Sequence, residues 1–477
     1  MRTIVWFRGK DLRIADHEPL QAALAGEVIP LFVLDPFFFA PARARELPHR
    51  MQFLLESLRA LEAALAELGS RLLVVAGKSV EVVPRLVREW KADRVVAQRW
   101  GEPFARERDL RIAQALGAKF ELFEGETLLP PGTLRTGAGR PYSVFSQFAR
   151  TFGATAKIGK PLQAPRALPP VPGNVRARQT PIPTCDQLGI ARNPALQPGG
   201  EQAAKARLSL FLREAAAAYA QQRDRMDLAG TSRLSADLKF GTISARQVWN
   251  AVEHALGETP SARAFLNELL WREFTHSTLW DRPELLKSPF RPAFADFPWL
   301  YDDNQWQAWV MGKTGYPIVD AASRQLLSEG FVHNRARMIS ASFLCKHLLM
   351  DYRRGEAHYM KYLTDGDWAQ NNAGWQWSAG CGCDAQPYFR VFNPTTQGEK
   401  FDPEGNYVRR WVPELARMPA RYIHDPSGTP QSVLQEAGVA LDENYPRPIV
   451  AHRFARERFL TVAAQHLKRD TGAKTGR

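Results

Sequence analysis

The residues with the richest chemistry lie between Asp365 and Trp377, in the run DGDWAQNNAGWQW. The run combines two aspartates, two adjacent asparagines and three tryptophans. Its Gly, Asn and Asp content disfavours a regular helix, so the composition predicts an irregular pocket of hydrogen-bonding groups between aromatic faces. The same character continues to Glu414. Because an ordinary apolar core does not need this mixture, we interpret the segment as a ligand site.

A second candidate is the segment Gly230–Ser244, GTSRLSADLKFGTIS. It places the hydroxyls of Thr231, Ser232 and Ser235 at the start of a helical pattern. A helix N-terminus can bind a phosphate through its backbone N–H groups and its dipole. Plain helix capping explains the same hydroxyls, and it is the commoner reason for Ser and Thr there.

A third candidate is Asn267–Phe274, NELLWREF, in which Glu268 and Trp271 share one helical face. A carboxylate beside an indole could bind a flat, hydrogen-bonding ligand such as a nucleobase. Alternatively, Trp271 belongs to the core and Glu268 pairs with Arg272.

The fourth candidate is Gly330–Met338, GFVHNRARM, where Asn334 and Arg337 share a face and Arg335 points elsewhere. A buried arginine needs an acidic partner, and Asp365 and Asp367 are candidates. A structural ion pair explains this cluster as well as a cofactor site does.

Charge and cysteine content narrow the class of protein. The chain of 477 residues carries a formal net charge of +13, which fits either a polyanionic partner such as DNA or a solvated basic surface. The spacing of Cys381 and Cys383 is too close for a metal knuckle, and we predict no metal. The N-terminus is charged, and there is no apolar run of about 20 residues, so we expect a soluble, cytoplasmic protein, associated with the nucleoid and with no membrane partner.

The hydrophobic patterns indicate two kinds of domain. Short apolar runs alternate with amphipathic stretches near the N-terminus, which predicts a doubly wound α/β domain with a parallel sheet. Proline is frequent from Lys157 to Pro198, which indicates a connector, and helical patterns dominate afterwards. We place the α/β domain at residues 1–130, the connector at 131–200, an all-helical domain at 201–467 and a short basic tail, expected to be disordered, at 468–477. The predicted strands are Thr3–Phe7, Val28–Leu34, Arg71–Ala76 and Arg94–Ala97; the predicted helices are Met51–Leu68, Val80–Trp90, Phe104–Leu116, Gln202–Gln222, Ser261–Trp280, Val319–Glu329, Asn334–Tyr352 and Gly355–Leu363.

Together these segments resemble the photolyase/cryptochrome family, in particular bacterial class I cyclobutane pyrimidine dimer photolyases. The resemblance begins at VWFRGKDL, continues through TSRLS, NELLWREF, GKTGYPIVDA and HNRARM, and ends near YPRPIV at Tyr445–Val450. It implies an N-terminal α/β antenna domain, a long connector and a C-terminal helical FAD-binding domain.

The resemblance implies FAD as cofactor, active in its reduced form FADH⁻. Asn371 matches the asparagine that faces flavin N5, where its amide accepts a hydrogen bond from N5–H. Arg337 is expected to pair with Asp365. The positions that match FAD-binding residues are Tyr219, Thr231, Ser232, Arg233, Leu234, Ser235, Arg272, Asn334, Arg337, Asp365, Gly366, Asp367 and Asn371.

The resemblance also implies a pocket for a pyrimidine dimer whose two bases are flipped out of the duplex. Met338 stands where (6-4) photolyases typically carry histidine, which favours cyclobutane dimers. UV-damaged DNA is the expected partner, and the family precedent is a monomer. The positions that match the lesion pocket are Glu268, Trp271, Asn334, Met338 and Trp377; those expected to contact the DNA strand are Arg335, Arg390 and Gln397, the last in a loop at Asn393–Gln397.

Two features depart from the family pattern. The electron relay usually has three tryptophans, and the matching positions here are Trp375, Tyr352 and Trp299. Since an oxidised tyrosine must lose a proton, we expect slower or rerouted photoreduction. Where folate-binding members carry an Asn-Glu pair, this chain has Phe104 and Ala105. Folate is therefore less expected as the antenna chromophore than a deazaflavin or none.

Two other functions share these motifs. A blue-light photoreceptor would use the same FAD residues but often carries a long C-terminal extension, whereas only KRDTGAKTGR follows the last helical pattern. A generic FAD-binding, DNA-associated protein would not need Glu268 and Trp377. The lesion residues and Asn371 favour the repair enzyme.

Overall fold

The computed structural model describes residues 1–176 and 179–473. The chain packs as two compact units, each assembled from separate stretches of sequence. The first unit consists of Met1–Ala220, Thr231–Pro283 and Thr364–Ala369; the second consists of Gln221–Gly230, Glu284–Leu363 and the residues from Gln370 onward. The domain boundaries at residues 130, 200 and 467 stay predictions.

A five-stranded parallel sheet forms the centre of the first unit. Its strand order is β3-β2-β1-β4-β5. The chain therefore adds β2 and β3 on one side of β1, and then β4 and β5 on the other side. This order creates a switch point beside β1, where α/β proteins commonly bind ligands. The strands are β1 Arg2–Phe7, β2 Glu27–Leu34, β3 Leu73–Ala76, β4 Arg94–Gln98 and β5 Phe120–Phe123.

The residues of β1 show why the sheet is buried on both faces. Ile4 and Trp6 point into one apolar cluster, while Val5 and Phe7 point into another, as the two-residue repeat of a strand requires. Four of the five strands were predicted. The fifth, β5, was missed because it is an edge strand and only partly buried.

Helices cover both faces of the sheet and continue the first unit beyond it. The predicted connector, residues 131–200, contains one helix at Phe145–Thr155 that was not expected. In its proline-rich part, residues 157–176 and 179–198 contain only one short 3-10 helix, Asp186–Leu188, as the proline content predicted. Helix α9 begins in the first unit and ends in the second. The helices are α1 Glu18–Ala23, α2 Pro36–Phe39, α3 Pro41–Arg45, α4 Pro48–Glu67, α5 Ser79–Glu89, α6 Pro103–Leu116, α7 Phe145–Thr155, α8 Glu201–Glu214, α9 Tyr219–Gln222, α10 Ser235–Phe240, α11 Ala245–Leu256 and α12 Pro260–Asp281.

The second unit contains only helices and loops in its described part, apart from isolated bridges. The predicted tail began at residue 468, whereas α21 continues to Ala473; residues 474–477 lie outside the described part. The helices are α13 Asp303–Val310, α14 Pro317–Glu329, α15 Asn334–Ser342, α16 Tyr352–Tyr362, α17 Trp368–Ala379, α18 Pro394–Phe401, α19 Asn406–Trp411, α20 Gln431–Ala437 and α21 His452–Ala473, with α17 starting in the first unit.

The predicted helix Asn334–Tyr352 is wrong as a single element. The chain forms α15, passes through a π-helical turn at Phe343–His347 and reaches a left-handed residue, Leu349, at φ 55°. Asp351 then caps α16 by accepting a hydrogen bond from the Arg353 backbone at 2.9 Å. Apolar residues continue through the break, so periodicity alone did not show it.

The prediction that the stretch after Asp365 is irregular is also wrong, because Trp368–Ala379 forms a regular helix, α17. Its amide side chains make tertiary hydrogen bonds instead of competing for the local backbone. Asn372 donates to the Leu285 carbonyl at 2.9 Å and to the Glu356 carboxylate, while Gln376 donates to the Leu285 and Ser288 carbonyls. Tertiary packing therefore overrides the weak helix propensity.

Within residues 1–176 and 179–473, no helix has the length and apolar composition needed to cross a bilayer.

Gly355 in α16 provides a stability test of this packing. A methyl group there would collide with the six-membered ring of Trp375 and with Leu344, so Gly355→Ala is expected to lower the free energy of unfolding by about 1–3 kcal/mol. Gly374 in α17 has open space around it, and Gly374→Ala should raise stability by up to about 1 kcal/mol. Urea unfolding followed by circular dichroism measures both changes, and equal effects of the same sign would contradict this account.

Candidate functional site

In the first unit, Asp367 lies at the centre of a buried charge cluster. Its carboxylate is 3.2 Å from the ammonium of Lys10, 3.7 Å from His276 Nε2 and 3.9 Å from Lys239. It also accepts a hydrogen bond from the Ala369 backbone at 3.0 Å, at the start of α17. Burial disfavours the ionised carboxylate, but the charge of Lys10 and its neighbours outweighs it and holds the pKa of Asp367 well below the ordinary value of 3.8.

Lys10 contacts two further carboxylates, those of Glu102 and Glu126. Burial alone would lower the pKa of Lys10, yet the three carboxylates raise it, so this lysine stays charged. Burial and the nearby charge of Lys10 lower the pKa of Lys239 to about 8. Burial also lowers the pKa of His276 to about 3, so its imidazole is neutral at pH 7.

Glu126, His276 and Asp367 bring ligand atoms within 4.8 Å of one another, a spacing suited to a metal ion. The ammonium of Lys10 contacts both carboxylates of this group. Lysine thus supplies the positive charge that a metal would bring. The expectation of a metal-free site stays a prediction.

The predicted phosphate-binding residues surround the start of α10 in the first unit. Leu234 is the N-cap, and no side chain caps the helix, so helix capping does not account for the hydroxyls of Thr231 and Ser235. Arg233 has φ 55°, an uncommon conformation for a residue other than glycine. Tyr219 is buried against Phe211 and Phe265.

Helix α12 carries Glu268, Trp271 and Arg272. Arg272 is buried and donates to the Glu126 carbonyl at 2.7 Å, with Glu273 at 3.7 Å. These contacts replace the alternative pairing with Glu268 that the sequence left open. Burial raises the pKa of Glu273 to about 7.

Trp271 is half-buried, and one face of its indole is stacked on Phe145. The two rings are 3.8 Å apart at an interplanar angle of 8°. Sequence analysis missed Phe145, because nothing in the sequence relates position 145 to 271. The contact fixes the plane of Trp271 and leaves its opposite face without an aromatic neighbour in the described residues.

In the second unit, helix α15 carries four predicted residues. The side chains of Asn334 and Met338 adjoin each other, with Nδ2 and Sδ 4.0 Å apart. Arg337 donates to the Val332 carbonyl at 2.8 Å. Arg335 forms an ion pair with Asp224 at 2.7 Å, so it would have to exchange this partner to contact DNA. The pairing of Arg337 with Asp365 joins different units and stays a prediction, as does the role of Gly366 beside it.

Asn371 and Trp375 lie one turn apart on α17, whereas Trp377 projects from a different face. The side-chain nitrogen of Asn371 donates to the Glu356 carbonyl at 3.0 Å, which orients its oxygen as an acceptor. Trp375 is buried beside Tyr359, at 5.0 Å between ring centres.

The predicted electron relay is not brought together as a set of contacting rings. Tyr352 and Trp299 are both buried. Among the described residues, the Tyr352 ring contacts neither Trp375 nor Trp299. Trp299 packs on Phe297 at 4.4 Å instead.

The predicted DNA-contact loop at Asn393–Gln397 is wrong as a loop. Asn393 caps α18 by accepting a hydrogen bond from the Thr395 backbone at 3.1 Å, and Gln397 lies within the helix. Arg390 is exposed, and its carbonyl accepts a hydrogen bond from Lys346.

A cavity of about 390 Å³ lies in the first unit at the carboxyl ends of the strands near the switch point. Its walls are largely aromatic, and Phe104 stacks on Phe37 with ring centres 5.2 Å apart. Ala105 is buried within α6 and does not line the cavity. The cationic lining residues are Arg8, Arg50, Lys78, Arg108 and Lys239.

Comparisons with known proteins agree with this architecture. Residues 3–169 match the family described as DNA photolyase, and residues 265–465 match the FAD binding domain of DNA photolyase. The deoxyribodipyrimidine photo-lyase of Agrobacterium fabrum is 40% identical, covering 97% of both chains, and that of Escherichia coli is 41% identical, covering 96% of this chain and 98% of its own.

Solved structures agree as well. A bacterial class III photolyase from Agrobacterium tumefaciens superposes with a TM-score of 0.91 at 38% identity, covering 98% of each chain. A cryptochrome from Synechocystis sp. PCC6803 gives 0.89 at 30% identity, covering 97% of this chain and 99% of its own. The chain belongs to the DNA photolyase family. The expected fold class, the FAD-binding domain and the classification as an enzyme of the deoxyribodipyrimidine photo-lyase kind are confirmed, while the individual site residues and the subdivision into class I stay predictions.

The charge cluster generates a pH-dependent stability test. Lys10→Met removes the cation nearest three buried carboxylates and should lower the free energy of unfolding by about 3–5 kcal/mol at pH 7. Because the folded pKa of Asp367 is depressed, its stabilising contribution is present above the ordinary pKa and is lost as pH falls through the lower folded value. In the variant that pKa rises, so the loss begins at higher pH.

Urea unfolding between pH 3 and pH 8 measures the shift. Lys78→Met is the matched control, because Lys78 is 67% exposed and lies 3.5 Å from Glu81; it should change stability by less than about 0.5 kcal/mol. Similar pH profiles for the two variants would refute the assigned role of Lys10.

Proposed function

We propose that this enzyme repairs cyclobutane pyrimidine dimers in DNA under blue light, by electron transfer from reduced FAD to a dimer flipped out of the duplex. The observation that carries the proposal is the geometry of Trp271, whose one face is stacked on Phe145 while the ring stays half-exposed. A flat ring held in one plane suits stacking with an unpaired base, which is worth about 1–3 kcal/mol. That gain offsets part of the cost of flipping the dimer out.

The other residues assigned to the lesion would orient the dimer in this contact. Glu268 lies one turn from Trp271 on α12 and is assigned to hydrogen-bond a pyrimidine edge and to stabilise charge on the dimer after it gains an electron. Asn334 and Met338 form a polar and apolar pair on one turn of α15, and with Trp377 they complete the residues assigned to the lesion. Arg390 and Gln397 are assigned to the DNA strand, as is Arg335 after exchange of its partner.

The cofactor-facing residues fit a reduced flavin. When bound, reduced FAD would supply the electron that splits the dimer. The proposed reaction therefore needs no protein nucleophile. The oxygen of Asn371 is oriented as an acceptor by the Glu356 carbonyl, which suits a protonated flavin N5. Asp367 is held ionised by Lys10, so its carboxylate is available only as an acceptor toward an N–H group.

We infer that the cavity in the first unit holds the antenna chromophore, and that a deazaflavin fits it better than a folate. The aromatic walls offer stacking surfaces, and the arginines and lysines among its lining residues favour an anionic ligand. The photolyase from Sulfolobus tokodaii, 29% identical to this chain, is described with two FAD molecules, so a relative holds a second flavin-sized ligand.

A second candidate function is blue-light reception without repair. It is favoured by the similarity to the Synechocystis cryptochrome.

The monomeric state and association with the nucleoid remain part of the proposal drawn from the family resemblance.

The repair assay separates the two functions. The purified protein with FAD bound and chemically reduced is mixed with dimer-containing oligonucleotide, and thymine absorbance is followed under blue light. Recovery is expected, and Trp271→Ala should weaken binding of the damaged DNA roughly tenfold or more through lost stacking. Trp411→Ala, a half-buried tryptophan on α19, is the control and should bind normally. Light exposure without recovery, in protein with confirmed FAD, rejects the repair function.

The antenna proposal has its own binding test. Deazaflavin added to the FAD-containing protein should quench part of the tryptophan fluorescence, because Trp6, Trp100 and Trp368 line the cavity. Phe104→Ala should weaken binding about tenfold, because it removes one of the stacked rings. Phe389→Ala removes a 61% exposed phenylalanine outside the cavity and should leave the titration unchanged. Equal binding by both variants would place the chromophore elsewhere.

A further inference from the structure

We propose that Trp309 and Trp306 carry electrons to Trp375 during photoreduction of the flavin, in place of Tyr352 and Trp299. This inference rests on the proposed function in one respect, that Trp375 lies next to a photoreducible FAD. It concerns how the cofactor becomes reduced, whereas repair itself starts from cofactor that is already reduced.

The three indoles form a continuous series of ring contacts within the second unit. Trp375 meets Trp309 at 6.1 Å between ring centres and an interplanar angle of 76°. Trp309 stacks on Trp306 at 5.3 Å and 30°, as expected for residues three apart on α13. Electron transfer between rings weakens steeply with separation, so contacting rings form the faster path.

Tyr352 is poorly placed to serve as the intermediate station. Its hydroxyl is buried without a hydrogen-bond partner in the described residues, so no base is available to take the proton that an oxidised tyrosine must lose. Burial raises the pKa of Tyr352 well above its ordinary value.

Trp299 is similarly unsuited to be the last station. Its indole nitrogen is buried and has no hydrogen-bond partner among the described residues. Trp306 differs because it is only half-buried, so water can reach it and take the indole proton. A final radical that loses its proton is trapped, and this step prevents the electron from returning.

The surroundings of Trp309 suit a station that passes the electron on without losing a proton. It is fully buried, and its indole N–H donates to Ser340 at 3.1 Å. His358 lies 5.4 Å from the Trp309 ring and 5.7 Å from Trp306. Since burial lowers the pKa of His358 to about 4, this histidine is neutral at pH 7 and adds no charge that would oppose oxidation.

Arg354 is the one cation stacked on the relay in the described residues, with its guanidinium 4.2 Å from the ring centre of Trp306. It pairs with Asp303 at 2.7 Å, which offsets its charge. The guanidinium would otherwise oppose oxidation of Trp306.

The sequence of steps balances electrons and protons. Trp375 loses one electron to the photoexcited flavin and regains one from Trp309, and Trp309 regains one from Trp306. The Trp306 radical cation releases its indole proton to water. A small thiol in solution then gives the neutral radical one electron and one proton and becomes a thiyl radical, which restores the indole.

The test compares four variants of the FAD-containing protein under blue light with a thiol present. Trp306→Phe is the main variant, because position 306 is half-buried and phenylalanine keeps a ring there. We expect it to slow flavin photoreduction about tenfold or more, and Trp309→Phe to do the same, while Tyr352→Phe and Trp299→Phe stay within about twofold of the unaltered protein. Normal photoreduction in Trp306→Phe, or loss of it in Tyr352→Phe, overturns the proposal.

Transient absorption gives a readout that does not depend on enzymatic activity. A deprotonated tryptophan radical should form after a flash in the unaltered protein and in Tyr352→Phe, but not in Trp306→Phe. A tyrosyl radical that disappears in Tyr352→Phe would contradict the assignment. Thermal unfolding checks that Trp309→Phe, at a fully buried position, remains folded.

Chemical reduction separates this inference from the proposed function. All four variants, once reduced with dithionite, should repair dimers at the rate of the unaltered protein. If repair fails in every sample, the proposed function is at fault. If repair succeeds and photoreduction does not depend on Trp306, only the relay assignment is wrong.

Discussion

The first unit depends on one buried ammonium group, that of Lys10. Three carboxylates from distant parts of the chain converge on it, those of Glu102, Glu126 and Asp367. Each of these acids would be costly to bury alone, since an unpaired buried charge destabilises a protein by several kcal/mol. The lysine lies three residues beyond the end of β1, so the central strand of the sheet fixes the position of the cluster. The end of β1 thereby sets where Asp367 lies, and the charge of Lys10 keeps this carboxylate ionised.

Much of this architecture could be predicted from the sequence, because its signal is local. Four strands are short apolar runs, and long helical patterns marked α4, α6 and α12. The charge cluster could not be found this way. Lys10 is 116 residues from Glu126 and 357 from Asp367, and Lys10, Glu102 and Glu126 each look like an ordinary surface charge in their own segments. Only the folded chain shows that they are buried together.

In the candidate site, too, some residues could be predicted from the sequence and others are shown only by the structure. Family resemblance singled out Asn371, Trp271 and Glu268 as candidates, since each belongs to a recognisable motif. It could not show that Phe145 stacks on Trp271 or that Asp224 forms an ion pair with Arg335, because these contacts join segments with no shared pattern. The error at α17 has a related cause. Helix propensity describes a residue by itself, whereas Asn372 and Gln376 are stabilised by the Leu285 carbonyl, which only the tertiary structure brings near.

The regularity of α17 matters for function, because a helix separates residues by angle as well as by distance. Asn371 and Trp375 fall on one face, one turn apart, while Trp377 points elsewhere. An irregular loop with the same composition would let these side chains exchange places. The helix keeps the tryptophan assigned to electron supply apart from the one assigned to the lesion. The tertiary hydrogen bonds that hold α17 helical therefore keep the two assigned tryptophans on different faces of the helix.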